Sequence, residues 1–239
     1  MTQYDYDTID EGYYDEVYHR QKGAQSKWHH LKFQMIAEKL RKQGIHSVLD
    51  VGCGPGTFAN ALDDKLQYCG LDIAYKQVQY AYAQYGSSSK NFLCTSAENI
   101  PLRDNSFDSA ISIEIIEHLP EEVAHNMLRE IYRCLKPGGK LILTTPNYHS
   151  TWPILEWVVN TITPLSYEDQ HILKFGPKKL KNFLHRCFED VEVTAFLFSA
   201  PFHAALNWKW SDKMFDMENK YLNGFGHLLL ATATKESDD

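Results

Sequence analysis

The sequence predicts an α/β fold in which a mostly parallel sheet is covered by helices on both faces. Short apolar runs alternate with segments of helical periodicity over residues 44–147, which is typical of parallel strands joined by helices. A glycine-rich turn directly follows the first apolar run, as in folds that hold a ligand at a strand-to-helix junction. Polar residues follow the later runs, and the carboxyl ends of parallel strands share one edge of a sheet. These features predict a doubly wound, Rossmann-like sheet with its ligand site at that edge.

The predicted elements follow from the positions of apolar residues, glycines and prolines. In the first helix, apolar residues keep helical spacing up to Leu40, and Gly44 ends the helix. Strands are predicted up to residue 147 at 48–51, 68–73, 91–95, 108–113 and 140–145. Helices in the same part of the chain are predicted at 28–42, 57–65, 75–85 and 121–135. Beyond it, the pattern predicts a helical insertion at 148–165, a helix at 177–187, and strands at 191–198 and 226–234.

Length, composition and charge limit the class of protein. The 239 residues suit a single domain, 1–239, and no apolar run approaches the ~20 residues of a membrane span. The acidic N-terminus is unlike a signal peptide and the five cysteines are widely spaced, so we expect a cytoplasmic protein with reduced thiols. With 24 basic and 31 acidic residues, the net charge of −7 argues against a nucleic-acid partner.

The glycine turn runs from Asp50 to Gly56 in a D-x-G-x-G-x-G pattern. Glycine lacks a Cβ, so its backbone can approach a ligand closely and adopt φ values that other residues resist. A dinucleotide fingerprint requires G-x-G-x-x-G, with a pyrophosphate on free backbone amides. Here Thr57 stands at the third glycine position and Pro55 removes one amide donor. An NAD-linked oxidoreductase is therefore the least favoured function.

The segment from Asp50 to Gly56 resembles motif I of the class I S-adenosylmethionine-dependent methyltransferases. Further blocks resembling that family follow in order: Leu-Asp-Ile at 71–73, Ala-Glu-Asn-Ile-Pro at 97–101, the strand and E-x-x-E-H at 107–119, and Lys-Pro-Gly-Gly at 136–139 before Thr-Pro-Asn at 145–147. They cover roughly residues 44–147 and resemble the ubiquinone-biosynthesis O-methyltransferase, or methyltransferase type 11, branch. The resemblance implies a seven-stranded sheet closed by an antiparallel C-terminal hairpin.

The resemblance also implies the residues that hold S-adenosylmethionine, with S-adenosylhomocysteine as product. Asp72 lies twenty residues after Gly52, where an acid can accept hydrogen bonds from both ribose hydroxyls. Ser96 departs from the aspartate that many relatives use for the adenine amine, and a hydroxyl is a weaker acceptor than a carboxylate. The implied cofactor set is Asp50, Gly52, Cys53, Gly54, Gly56, Asp72, Ile73, Ser96, Ala97, Glu98 and Ile113.

Glu114, Glu117 and His118 are candidates for the chemistry, because i, i+3 and i+4 spacing groups them on one side of a helical turn. Methyl transfer is an in-line displacement, so the protein positions the acceptor and assists loss of its proton. The E-x-x-E-H pattern resembles the metal site of ubiquinone-pathway O-methyltransferases and of small-RNA 3′-end 2′-O-methyltransferases. In the latter family a further histidine follows the Thr-Pro-Asn strand end, and His171 is the match.

Three interpretations of this cluster remain open. In the first, a divalent cation is held by Glu114, Glu117, His118 and His171. In the second, His118 or His171 is a general base without metal, with Glu117 in the catalytic group. In the third, the residues only order the loop.

The predicted domain has three regions. Residues 1–43 form a helical, tyrosine-rich segment that either packs on the domain or folds as a flap over the pocket. Residues 44–147 form the cofactor-binding core, and residues 148–239 carry substrate-side insertions and the closing hairpin. The aromatic residues within 202–221 indicate core or homodimer contacts, or alternatively an apolar substrate pocket or peripheral membrane contact.

The favoured function is S-adenosylmethionine-dependent O-methylation of a small, sugar-like or lipid-like acceptor. The acidic charge balance and the aromatic C-terminal third favour this class of acceptor. A metal-assisted RNA 2′-O-methyltransferase is the first alternative, which E-x-x-E-H supports and the charge opposes. A cofactor-binding protein without catalysis is the second.

Overall fold

The computed structural model describes residues 10–162, 170–222 and 224–237. The helices are α1 (Tyr13–His19), α2 (Gly23–Arg41), α3 (Tyr75–Tyr85), α4 (Glu121–Cys134), α5 (Trp152–Ile162), α6 (Pro177–Leu184), α7 (Ala200–His203) and α8 (Trp208–Tyr221). The strands are β1 (Ser47–Val51), β2 (Gln67–Asp72), β3 (Lys90–Cys94), β4 (Phe107–Ile113), β5 (Leu135–Pro146), β6 (Glu189–Phe196) and β7 (Leu228–Thr234).

The strands form one seven-stranded sheet in the order β3-β2-β1-β4-β5-β7-β6. The first five strands pair in parallel, whereas β7 is antiparallel to both β5 and β6. The α/β fold, the mostly parallel sheet and its antiparallel C-terminal pair are therefore confirmed. The connection from β6 to β7 is long and contains α7 and α8.

Helices cover both faces of the sheet because successive strand side chains point to opposite sides. In β1, Leu49 belongs to the apolar cluster that also contains α4 and α6 residues, and Val48 to the one that contains α2 and α3 residues. In α4, Met127 and Ile131 are fully buried. Burial of such a side chain stabilises the fold by roughly 1.5–3 kcal/mol.

The predicted helix at 28–42 begins earlier, at Gly23, and two further predicted boundaries are wrong for local reasons. The predicted helix at 57–65 is only a 3-10 turn, Thr57–Ala61. It stops because Asp63 forms a turn of its own, in which its carboxylate accepts from the Lys65 amide at 2.9 Å. The strand predicted at 140–145 begins earlier, at Leu135, which pairs with Phe107 before a bulge in the register.

The N-terminal segment packs against α3. Its buried Asp15 on α1 accepts hydrogen bonds from Tyr80 (2.9 Å) and Tyr85 (2.6 Å) of α3. The role of this segment as a flap stays a prediction, as does the division into three regions, and residues 1–9 and 163–165 lie outside the described residues. Among the described helices, none is long and apolar enough to cross a membrane. The cytoplasmic location also stays a prediction.

Candidate active site

The glycine turn leaves β1 with three residues in the left-handed region. Gly52, Gly54 and Gly56 have φ values of 83°, 50° and 74°, which side chains with a Cβ rarely adopt. A Cβ at Gly52 would overlap the side chain of Ile115, while a Cβ at Gly54 would meet no atom within 4 Å. The backbone at Gly54 is therefore open to an approaching ligand.

Asp72, at the end of β2, is tied to this turn. Its Oδ2 accepts a hydrogen bond from the Gly54 amide at 2.8 Å, and its Oδ1 accepts one from the Ala74 amide at 2.9 Å. Burial raises the pKa of Asp72, and the amide hydrogen bonds oppose that rise. The two strand ends thus present a carboxylate and open backbone side by side.

Asp50 lies beneath the turn and is 1% exposed. The Tyr68 hydroxyl donates to its Oδ2 at 2.5 Å, and its buried Oδ1 has no hydrogen-bond partner among the described residues. Burial raises the pKa of Asp50 to about 7, although the Tyr68 hydrogen bond opposes the rise. An unsatisfied buried acceptor next to the turn is a polar feature that a ligand can satisfy.

The remaining predicted cofactor residues lie at neighbouring strand ends. The amides of Gly52 and Cys53 both donate to the Leu71 carbonyl, which joins the turn to β2. Cys53 is buried, whereas Ile73 is 54% exposed. Ser96, Ala97 and Glu98 follow β3, and Ile113 ends β4 at half burial.

Two of these residues are also partners in local hydrogen bonds. The Ser96 hydroxyl accepts from the Glu98 amide at 3.3 Å, and the Glu98 carboxylate accepts from Asn126 at 3.1 Å. Their roles toward the cofactor stay predictions.

Glu117 is the buried acid of the candidate catalytic cluster and is 1% exposed. The Thr145 hydroxyl of β5 donates to its Oε2 at 2.8 Å, while its Oε1 meets no hydrogen-bonding group in the described parts of the chain. Burial, with the charge of Glu114, raises the pKa of Glu117 to about 8. Its backbone carbonyl accepts from the amides of Ile172 (2.7 Å) and Leu173 (2.9 Å), which brings the segment around His171 against the turn.

His118 and His171 complete the cluster, since one ligand atom from each of Glu117, His118 and His171 lies within 4.8 Å of the others. Nδ1 of His118 is 3.1 Å from the Gln170 carbonyl oxygen. A carbonyl only accepts hydrogen bonds, so Nδ1 carries the proton and Nε2 the lone pair. Burial, together with the charge of His171, lowers the pKa of His118 to about 4.

His171 is oriented by Glu156 and Tyr148, which no sequence motif had indicated as site residues. Its Nδ1 lies 2.6 Å from Oε1 of Glu156 on α5 and 2.7 Å from the Tyr148 hydroxyl. Tyr148 also donates to Glu156 at 2.8 Å. A carboxylate on Nδ1 fixes the ring orientation and leaves Nε2 as the basic nitrogen. Glu156 is the single acid in the apolar run 152–159, and this isolation could have indicated a buried functional carboxylate.

The side chain of Glu114 lies outside this cluster. Its carboxylate forms an ion pair with the buried Lys32 of α2, and it does not belong to the cluster of Glu117, His118 and His171. The structure thus brings together three of the four predicted metal ligands. Lys32 was also missed, because its partner lies far away in sequence.

The strand order, the glycine turn and the carboxylate after β2 define the class I S-adenosylmethionine-dependent methyltransferase fold. Residues 49–143 match the sequence profile of a methyltransferase domain family. The chain therefore carries a methyltransferase domain, and the predicted family is confirmed over this segment.

Individual relatives agree with this assignment. The chain is 34% identical over 114 residues to an O-methyltransferase of Aspergillus nomiae, covering 45% of this chain and 50% of the relative. It is 28% identical over 135 residues to a ubiquinone biosynthesis O-methyltransferase of Idiomarina loihiensis, covering 55% and 51%. The chain thus spans about half the length of these curated relatives.

A solved structure from Thermotoga maritima, described as a SAM-dependent methyltransferase and possible histamine N-methyltransferase, shares the fold. Its TM-score is 0.65 at 22% identity, covering 93% of this chain and 95% of that one. At this identity the likeness concerns the fold alone.

Proposed function

We propose that this chain catalyses S-adenosylmethionine-dependent O-methylation of a small, sugar-like or lipid-like acceptor. The observation that carries the proposal is the convergence of Glu117, His118 and His171 at the carboxyl edge of the sheet. This edge also holds the glycine turn and Asp72. The O-methyltransferase relatives support the choice of an oxygen acceptor.

The residues at the turn fit the cofactor. Open space over Gly54 suits close approach of a ligand to the backbone. The Asp72 carboxylate has lone pairs beyond those used by the two amides, so it suits ribose hydroxyls. The unpaired Oδ1 of Asp50 suits the ammonium group of the cofactor's amino-acid end.

In the proposed reaction, the bond between sulfonium and methyl carbon breaks as the bond between acceptor oxygen and methyl carbon forms. The acceptor hydroxyl gives its proton to Nε2 of His118 or His171, because each ring holds its Nδ1 against an acceptor and so carries its lone pair on Nε2. The lowered pKa values keep both imidazoles neutral at physiological pH. Burial around Glu117 excludes water from this side of the site.

The cluster also fits a divalent cation. Glu117 offers an unpaired buried oxygen, and the two histidines offer ring nitrogens, which together form a two-histidine, one-carboxylate donor set. A bound cation would lower the pKa of an acceptor hydroxyl. Glu117, His118 and His171 would hold it, while Glu114 remains with Lys32.

An acceptor screen with labelled methyl donor, run with and without a chelator, tests the proposal. We expect transfer to a hydroxyl compound, and a loss of at least about 100-fold in His118→Ala or His171→Ala. His185→Ala, at an exposed histidine after α6, is the matched control and should retain activity. Donor binding without transfer to any acceptor would instead identify a cofactor-binding protein.

An RNA 2′-O-methyltransferase is the second candidate, favoured by the same three-residue cluster after E-x-x-E-H. The net charge of −7 opposes it. Salt dependence separates the two functions, because phosphate contacts release counterions and make activity fall steeply with salt. We expect a weak salt dependence.

A further inference from the structure

Helix α8 carries a row of exposed apolar side chains. Trp210, Met217 and Tyr221 are exposed by 48%, 47% and 69%. Their spacing of seven and four residues places them on one side of the helix. Large exposed apolar groups in one row are characteristic of interaction surfaces.

The orientation of this row is fixed by the opposite, buried side of α8. Ser211 donates to the Ala200 carbonyl at 2.6 Å. The buried Glu218 accepts from the Ser199 amide at 2.7 Å and from its hydroxyl at 2.6 Å. The helix cannot turn its apolar row inward without losing these bonds, so the row faces outward in the folded chain.

A row of lysines runs beside the apolar row. Lys209, Lys213 and Lys220 are exposed, and their spacing of four and seven residues places them on one side of α8, next to the apolar row. None of the three forms an ion pair within the described ranges. Of the acids on α8, Asp212 is paired with Lys27 and Glu218 is buried, whereas Asp216 is exposed between Lys213 and Lys220. Three exposed lysines against one exposed acid leave this side of the helix positively charged.

Exposed apolar residues continue from both ends of α8. Leu206 precedes the helix and is 79% exposed, and Phe225 follows it and is 69% exposed. Phe202 on α7 is 42% exposed and lies 6.3 Å from the ring of His227. The backbone carbonyl of His227 accepts from the amide of Asn147, which directly follows β5, so the surface reaches the edge that holds the active site.

We propose that this α8 surface docks on an anionic lipid surface. The apolar row would lie at the boundary of headgroups and acyl chains, and the lysine row would contact anionic headgroups. The overall charge of −7 makes this attraction local and sensitive to salt. Antiparallel pairing of two α8 helices through the row sets lysines against lysines, so the charges favour lipid over a second copy.

Vesicle sedimentation of the full chain tests the proposal, with phosphatidylcholine alone or mixed with phosphatidylserine. We expect binding only to the mixed vesicles, and weaker binding at high salt. Lys213→Gln with Lys220→Gln should weaken binding by about fivefold for each lysine. Lys178→Gln with Lys181→Gln on α6 changes the charge equally and should leave binding unchanged.

A matched tyrosine pair tests the apolar row. Tyr221→Ser should weaken vesicle binding, whereas Tyr82→Ser, at an exposed tyrosine on α3 (61%), should not. In the wild-type chain, mixed vesicles should slow acetylation of Lys213 and Lys220 relative to Lys178 and Lys181. No binding, equal effects of test and control variants, or a dimer that the α8 changes dissociate would each overturn the proposal. None of these measurements depends on methyl transfer.

Discussion

Two glutamates three positions apart have different surroundings in this site. Glu114 pairs with Lys32, whereas Glu117 is buried against Thr145. The sequence predicted that both would join His118, because the i, i+3 rule assumes a continuous helix. Glu114 instead has a left-handed φ of 54°, and the 3-10 turn begins only at Ile116. Local spacing alone therefore identifies the residue types of the site but not their partners.

Asp72→Ala should weaken S-adenosylmethionine binding by about 1–3 kcal/mol, because charge-assisted hydrogen bonds to the ribose are lost. Isothermal titration calorimetry measures the change. Glu192→Ala, at an exposed acid on the edge strand β6, is the control. Unchanged affinity in the Asp72 variant would remove the ribose assignment.

Glu156→Leu should reduce turnover by about 10–100-fold, because His171 loses the carboxylate that orients its ring. Glu156→Gln keeps an oxygen that accepts from Nδ1, so most activity should return. Steady-state kinetics should show the loss in kcat, and the nitrogen chemical shifts of His171 should report its tautomer. A Gln variant as impaired as the Leu variant would contradict this role.

At the scale of elements, strands and helices were predicted correctly where the residues of a single segment determine its structure. The apolar run and glycines of β1 predict that strand and turn directly. The 3-10 turn after it was missed because Asp63 competes locally with a helix. The approach of the 170–173 segment to Glu117 depends on backbone bonds between distant parts of the chain, which no local pattern encodes.

Lys32→Met should destabilise the fold by about 1–3 kcal/mol, because it leaves Glu114 largely buried without its partner. This loss of stability is smaller than the loss expected for a fully buried ion pair, because the Glu114 side chain is 22% exposed. Urea unfolding measures the change. Lys39→Met, at a half-exposed position of the same helix, is the control.

The double variant Lys32→Met with Glu114→Leu separates the effect of losing the ion pair from the effect of changed side-chain packing. It removes the uncompensated charge, so part of the lost stability should return. A double variant less stable than Lys32→Met would show that the pair does not link α2 to the site in this way.

At the scale of the whole molecule, the alternation of strands and helices predicts the parallel layers from residue chemistry. The antiparallel closure of β7 onto β5 came only from the family resemblance. His118 and His171 come together only when the sheet has formed. His118 follows β4 and His171 lies beyond β5, and the pairing of these two strands brings the two parts of the chain to the same edge of the sheet.

Stability should depend on pH through Glu117. Burial keeps this carboxyl protonated up to about pH 8 in the folded chain, whereas the unfolded group ionises near 4.5. The folded state therefore binds more protons in this window, and stability falls as pH rises. Relative to Glu117→Gln, wild-type stability should fall by about 2–3 kcal/mol from about pH 6 to about pH 8.5.

Urea unfolding at both pH values, with chelator present, measures this difference. The Gln variant keeps the acceptor for Thr145 and lacks the titration, so it cancels the contribution of the histidines. A difference that stays constant or grows with pH would refute a buried, protonated Glu117.

The two amides that bind the Glu117 carbonyl belong to the main chain of Ile172 and Leu173. Main-chain attachment survives replacement of the attached residues, provided that no proline is introduced. The loop can therefore accumulate substitutions over evolutionary time while remaining anchored. In the proposed enzyme, single codon changes in this segment would then alter the surroundings of His171 and leave the glycine turn unchanged.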